Sequence, residues 1–337
     1  MPAKDATVPP KRRSATMSAR MRNMRVLLKV TVLEYRDFAV ARWRVRGQVC
    51  GGTMENVTAI SVNVAYGLAV LLFFGVVLAR RSAMNRGVVS PPPLPVGKVP
   101  VWLYRETDLF GLILIAGLFY LMAIGNASMA GDGKVPEITA FALLLNIGLQ
   151  FFFAGLAVMI MFRRSRPVQW LGLAWKQWPW VFLIAPATVV ATWAVFAGLF
   201  SAGYMDLMES LGVEKVQDTV AILQQEKDLR ILILMAFTAA IVAPVCEEVV
   251  FRGYIYPVAK KFSGPWVAGF CSALVFSAAH GSMSALLPLF ILGMVLVALY
   301  EFTGSIWAPI AVHFLFNSAT VVVQMLVRFG IVPDVPT

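Results

Sequence analysis

The chain has 337 residues, of which 59% are apolar and only 14% charged, and its mean hydropathy is +0.75. Soluble domains carry about a quarter of their residues as charges, so these values exclude a soluble enzyme and point to a polytopic membrane protein. The formal charge of +11 is no nucleic-acid signal, because residues 1–53 hold 12 Lys and Arg against three acids, whereas Met54 onward carries 17 bases and 15 acids.

The basic tail comes first. Its Lys11-Arg12-Arg13 run reads as a solvated charge cluster, since no aromatic-interleaved RNA-binding pattern accompanies it, and no nucleic-acid partner is expected. Met54-Glu55-Asn56-Val57-Thr58 lacks Lys and Arg and directly precedes the first apolar run. Residues 1–53 are therefore expected to be a mis-assigned upstream extension, with translation starting at Met54; the alternative is a real tail whose Met24–Val40 region lies on the membrane. Eight apolar stretches approach the roughly 20 residues that a helical span needs. They lie near 58–79, 109–128, 138–162, 178–203, 231–251, 265–281, 284–301 and 305–327. Alternating ten-residue strands are absent, which removes a β-barrel. The expected fold is an all-α transmembrane bundle of about eight spans. It divides into N-terminal membrane helices over 54–204, a helical core over 205–328 and a short tail over 329–337.

Between the spans, Ser90-Pro91-Pro92-Pro93-Leu94-Pro95 reads as a polyproline-type linker. Over 205–228, Leu207, Leu211, Val216, Val220 and Leu223 recur at near-helical spacing among acids, which suggests an interfacial amphipathic helix. Cys50, Cys246 and Cys271 form no disulfide framework or zinc-finger spacing.

Loop charges set an orientation. The segments 80–108, 163–176 and 252–263 carry five, four and three basic residues. The opposite connections are poorer: 126–137 has one, 281–284 none, 205–230 three against six acids, and the C-terminal end Arg328 alone. The basic side is expected to be cytoplasmic, in a bacterial cytoplasmic membrane, with both ends of the span set outside.

Ionisable groups inside spans are the place to look for chemistry, because each costs roughly 2.5–3.5 kcal/mol to insert. The chain's two histidines, His280 and His313, both lie in apolar stretches, and Glu247-Glu248 lies in another. Glu248 and Arg252 stand at i,i+4, where opposite charges meet across one turn. Glu247 is rotated by about 100° from its neighbour and is free to face another helix with a raised pKa, as a general base needs. A carboxylate pair sharing one arginine for helix docking explains these three residues equally well. The strong turn Ser263-Gly264-Pro265 lies midway between 247 and 280, so an antiparallel hairpin brings Glu247 and His280 to one depth. His313 and Asn317, also at i,i+4, share a face of the last span at a depth on the cytoplasmic side.

Taken together, Glu247-Glu248 with Arg252, Phe276 with His280, and His313 with Asn317 resemble, in order and without departure, the E-E-x-x-x-R, F-x-x-x-H and H-x-x-x-N pattern of a known family. This is the CAAX prenyl protease and bacteriocin-processing (CPBP) intramembrane proteases, whose eukaryotic member is the Ras-converting endopeptidase. Gly293, Tyr300 and Thr303-Gly304-Ser305 are similar to a further segment of it, and the resemblance covers about residues 205–328.

The resemblance implies hydrolysis of a peptide bond by water, in a membrane-associated, lipidated or CAAX-type substrate. Glu247 with His280 would activate the water, His313 and Asn317 would stabilise the oxyanion, and Glu248 with Arg252 would fix the helix. No cofactor is required in this scheme. Glu247, His280 and His313 also satisfy the three-ligand count of catalytic zinc, but neither histidine belongs to an H-E-x-x-H helix. If Glu247 were a ligand, Glu248 would have to act as base while paired with Arg252. The metal-independent scheme is favoured and zinc stays open. Two other readings compete: a catalytically quiet family member acting as an immunity or regulatory scaffold, and a proton-coupled transporter, for which neither an internal repeat nor paired broken helices are visible.

Overall fold

A computed structural model describes residues 57–87, 97–129, 138–213, 223 and 226–331. The basic tail, its expected start at Met54, the polyproline run and the 332–337 end lie outside the described residues, as do Val216 and Val220 of the expected amphipathic helix.

Among the described residues, eight apolar helices form the bundle: α1 (Val57–Asn85), α2 (Asp108–Met129), α3 (Ala140–Phe162), α4 (Val181–Ser201), α5 (Leu229–Ser263), α6 (Pro265–Ala278), α7 (Met283–Thr303) and α8 (Trp307–Arg328). Seven are long and apolar enough to cross a membrane, and α6 is shorter. Large apolar side chains such as Phe110, Phe141, Phe182 and Leu71 stand outward with most of their surface exposed, as a lipid-facing surface requires. The chain is a multi-pass integral membrane protein.

Two boundaries differ from the sequence expectation. The stretch 265–281 contracts to the 14-residue α6, about 21 Å long against a hydrocarbon core of about 30 Å. Every residue from Cys271 to Ala278 on it is buried. Hydropathy does not distinguish a helix facing lipid from one enclosed by other helices, and α6 is the enclosed kind, packed mainly on α7 and the end of α5. Conversely, α5 runs 35 residues, past Arg252 to Ser263. The segment 252–263 is thus helix, not loop, and Arg252 must leave the loop-charge count, which does not change the count's sign. A helix carries a charge through the bundle when a carboxylate one turn away neutralises it, and Glu248 does this.

Two π turns, Thr238–Val242 and Phe251–Ile255, interrupt α5, and each is followed by a proline two residues on. At the first, Ala243 donates to Thr238 five residues back, and Pro244 has no N–H to offer the Ala239 carbonyl. Asn317 Nδ2 on α8 donates to it instead, at 2.8 Å. At the second, Tyr256 donates to Phe251, Pro257 has no N–H to offer the preceding turn, and the Gly253 carbonyl is bonded from outside the helix. Tyr104 Oη and Trp170 Nε1 both donate to it at 2.7 Å. Each bulge is therefore clamped by a side chain from elsewhere in the bundle. Burial raises the Tyr104 phenol pKa well above its ordinary value, so it remains a donor.

The basic end of the bundle is fastened by the segment preceding α2. Lys260, 1% exposed, reaches the Val99 carbonyl at 3.0 Å and the Glu301 carboxylate, which also accepts from Tyr256 at 2.7 Å. Lys98 N–H donates to the Glu301 carbonyl, and Lys261 donates to that of Tyr104. Gly97, at φ +112°, passes so close that a Cβ there would lie 1.7 Å from Glu301 Oε2. Before α5, the helix Tyr204–Ser210 buries Met205 and Met208 and leaves Leu207 and Leu211 exposed. In the row expected from sequence, Leu223 is buried.

Candidate active site

The middle of α5 places two carboxylates on different faces of the helix. Glu248 is fully buried and accepts from Arg252 Nη1 at 3.0 Å. Arg252, also fully buried, spends Nη2 on the Gly293 carbonyl of α7 at 3.0 Å and lays its guanidinium 4.7 Å from the centre of the Phe276 ring on α6. One cation thus ties α5, α6 and α7 together. Gly293 makes room for this, since a Cβ there would meet Ala273 Cβ at 3.0 Å.

His313 on α8, 3% exposed, completes the cluster. Its Nδ1 lies 2.9 Å from Glu248 Oε1. A carboxylate held by arginine is an acceptor, so Nδ1 carries the proton and Nε2 becomes the reactive nitrogen. That atom lies 3.9 Å from Glu247 Oε2, too far for a hydrogen bond and near enough for a small bridging group. Glu247 keeps 20% of its side-chain surface exposed, while its Oε2 is buried with no hydrogen-bond partner. Glu248 Oε2 is likewise buried without a partner, so the two carboxylates differ in that Glu248 Oε1 takes two donors and Glu247 none.

His280 stands at the exposed end of α6. Its Nδ1 is 2.8 Å from the Phe276 carbonyl one turn back, which fixes the tautomer with Nε2 outward. The Phe276 ring meets both imidazoles edge-on, with centroids 5.1 Å from His280 and 5.9 Å from His313. The structure therefore brings Glu247, Glu248, Arg252 and His313 into direct polar reach and sets His280 beside them on Phe276. No hydrogen bond or ion pair joins His280 to Glu247. Asn317, one turn beyond His313, has one N–H on the Ala239 carbonyl and retains a second donor.

The zinc alternative would use Glu247, His280 and His313. Among the described residues no three His, Cys, Asp or Glu side chains stand where they could hold one ion. Glu248 and His313 Nδ1 are engaged with each other, and His280 faces Phe276. No step below is routed through a metal.

Sequence reasoning placed Phe276 and Gly293 in the family pattern without a contact to make, and singled out none of Ala239, Tyr104 or Trp170. For Ala239 a signal existed in Pro244, because a proline inside a span orphans a carbonyl four or five residues earlier. A ring serving three partners, or a backbone carbonyl paired across helices, leaves no such trace.

Comparison with known proteins bears on the same helices. Residues 229–319 match the family described as Type II CAAX prenyl endopeptidase Rce1-like. YdiL of Bacillus subtilis (strain 168), a protein named as a membrane peptidase, is 31% identical over 140 residues, 40% of this chain and 56% of that protein. The chain thus spans little more than half the length of that relative. No solved structure matches the chain. Glu247, Glu248, Arg252, His280, His313 and Asn317 all lie in the segment that is similar to the Rce1-like CAAX prenyl endopeptidase family.

Proposed function

We propose that the protein is an intramembrane endopeptidase that hydrolyses a peptide bond of a membrane-associated substrate, of lipidated or CAAX type, with Glu247 as the base. The observation that carries this reading is the asymmetry of the carboxylate pair: Glu248 is held through Oε1 by both Arg252 and His313, whereas Glu247 has no hydrogen bond among the described residues and sets its Oε2 3.9 Å from His313 Nε2. A water near Glu247 Oε2 loses a proton to that carboxylate as its oxygen bonds to the scissile carbonyl carbon. The carbonyl electron pair moves onto oxygen. The tetrahedral species then breaks its C–N bond, and the proton passes from Glu247 to the leaving amine.

Charge develops on the former carbonyl oxygen, and fixed donors in a low-dielectric site are the effective way to stabilise it. The free N–H of Asn317 can donate there. His313 can do so only as imidazolium, because Nδ1 already spends its proton on Glu248. His280, with its outward Nε2, remains the candidate to help orient or deprotonate the water once substrate fills the space between α6 and α8. The side of action is read as cytoplasmic, from the basic Lys260 and Lys261 end of α5 and the turn after α7.

The test is reconstitution. Purified protein in proteoliposomes should cleave lipidated C-terminal peptides in H2(18)O with one heavy oxygen in the new carboxylate, and Glu247→Gln should abolish this. Failure of the folded wild type to cleave any such peptide, with or without lipid, would favour the scaffold reading.

A further inference from the structure

Away from these residues, a cavity of about 560 Å³ lies between α1, α2 and the α5–α6 hairpin. Its lining is almost wholly apolar, yet two lining hydroxyls, those of Tyr66 and Ser272, are buried with no hydrogen-bond partner, in residues 6% and 2% exposed. An unmade hydrogen bond at a buried hydroxyl is unfavourable, so two such hydroxyls lining one cavity, from α1 and α6, point to a ligand with an acceptor.

Most of the polar lining lies toward one end. Asn63 and Tyr120 are joined by a 2.6 Å hydrogen bond, and Tyr120 packs edge-on to Tyr66 with centroids 5.1 Å apart. The cavity then runs along α1 through Val70 to Phe73 and Phe74. From Asn63 to Phe74 is about 16 Å of helix, close to the half-thickness of a hydrocarbon core of about 30 Å. Val70 and Ile113 on the rim are each 51% exposed, so the cavity opens sideways onto the apolar outer surface.

Two glycines keep it open. Gly67 and Gly117 both line it, and a Cβ added at either would meet nothing within 4 Å. Glycine in a helix interior costs about 1 kcal/mol relative to alanine, and here no close helix contact compensates.

We propose that this cavity binds one acyl chain of a bilayer glycerophospholipid, an ester carbonyl accepting from Tyr66 and Ser272 and the chain lying along Val70, Phe73 and Phe74. The polar end and leaflet-long apolar run match that ligand, and the lateral opening supplies it from the bilayer. The site is independent of the proposed peptidase chemistry.

The test uses the full protein in vesicles of phosphatidylethanolamine and phosphatidylglycerol doped with a phospholipid carrying a diazirine on its acyl chain. After irradiation, peptide mapping should find Val70, Phe73 and Ile113 labelled several-fold above Leu71, which is 74% exposed on the outer face of α1. Gly67→Leu and Gly117→Leu, each filling the cavity, should reduce that labelling to the Leu71 level at an unchanged melting temperature. Tyr66→Phe should lower it in part. Equal labelling of cavity and outer face in the wild type, or undiminished labelling in either folded glycine variant, overturns the proposal. Should both glycine variants fail to fold, undiminished labelling in Tyr66→Phe with Ser272→Ala does so. Displacement of the label by an isoprenylated peptide and not by added phospholipid would assign the cavity to a substrate tail and overturn the bilayer-lipid assignment.

Discussion

Glu248→Gln and Glu247→Gln are chemically the same substitution one residue apart, and the structure predicts opposite consequences. Glu248 is fully buried and faces Arg252 at 3.0 Å and His313 at 2.9 Å. Its neutralisation leaves Arg252 as a buried cation. Removing one partner of a buried pair costs roughly 3–5 kcal/mol. The Gly293 carbonyl and the Phe276 ring, a contact of about 0.5–2 kcal/mol, stay in place, so the lower end, about 3 kcal/mol, is expected. Glu247 donates to nothing and accepts from nothing in this arrangement, so its amide should change stability by less than about 1 kcal/mol. Turnover should instead fall by about 10²–10⁴ for loss of a general base. The assay is a paired one in a single detergent: thermal unfolding by intrinsic tryptophan fluorescence, and cleavage of a lipidated peptide. Adding Arg252→Met to Glu248→Gln should recover much of the lost stability, since replacing a buried pair by apolar groups is often near neutral. If Glu248→Gln melts with the wild type while Glu247→Gln is destabilised, the assignment of locked and free carboxylate is wrong.

Asn317→Ala removes the donor to Ala239 and should cost about 1–3 kcal/mol for a buried unsatisfied carbonyl; Asn317→Asp, which presents an acceptor, should be no better, as thermal unfolding would report. Tyr104→Phe and Trp170→Phe each leave one donor on Gly253, so each single change should cost about 0.5–1.5 kcal/mol and the double more than their sum. Gly293→Ala places a Cβ 3.0 Å from Ala273 Cβ and should cost about 1–3 kcal/mol by overpacking, visible as a lowered melting point. Zinc chelators should leave peptide cleavage unchanged over hours; loss of activity that added zinc restores would reverse the ranking of mechanisms.

The membrane class and the apolar helices were legible because a span needs an uninterrupted apolar length, and the Gly264 turn because a left-handed glycine before a proline cannot continue a helix. The Glu248–Arg252 contact was legible from its i,i+4 spacing. The extent of α5 was not, because a hydropathy window stops at Arg252 whatever neutralises it. Nor was the enclosure of α6, since Cys271–Ala278 look the same in sequence whether they face lipid or protein. At the site, counting residues to turns speaks to depth and not to rotation, and His313, not His280, is the imidazole in polar reach of the carboxylates. The donor and acceptor pairing at Ala239 and Gly253 depends on two π turns, which shift register by one residue each and leave little mark apart from Pro244 and Pro257.

The most direct test of Glu247 as the base of an intramembrane endopeptidase is a comparison of membrane-peptide termini from cells expressing wild type, Glu247→Gln, or no protein. The account predicts a set of new termini present only with wild type and lost equally in the folded Glu247→Gln variant and the deletion. Identical termini in wild type and Glu247→Gln would contradict it.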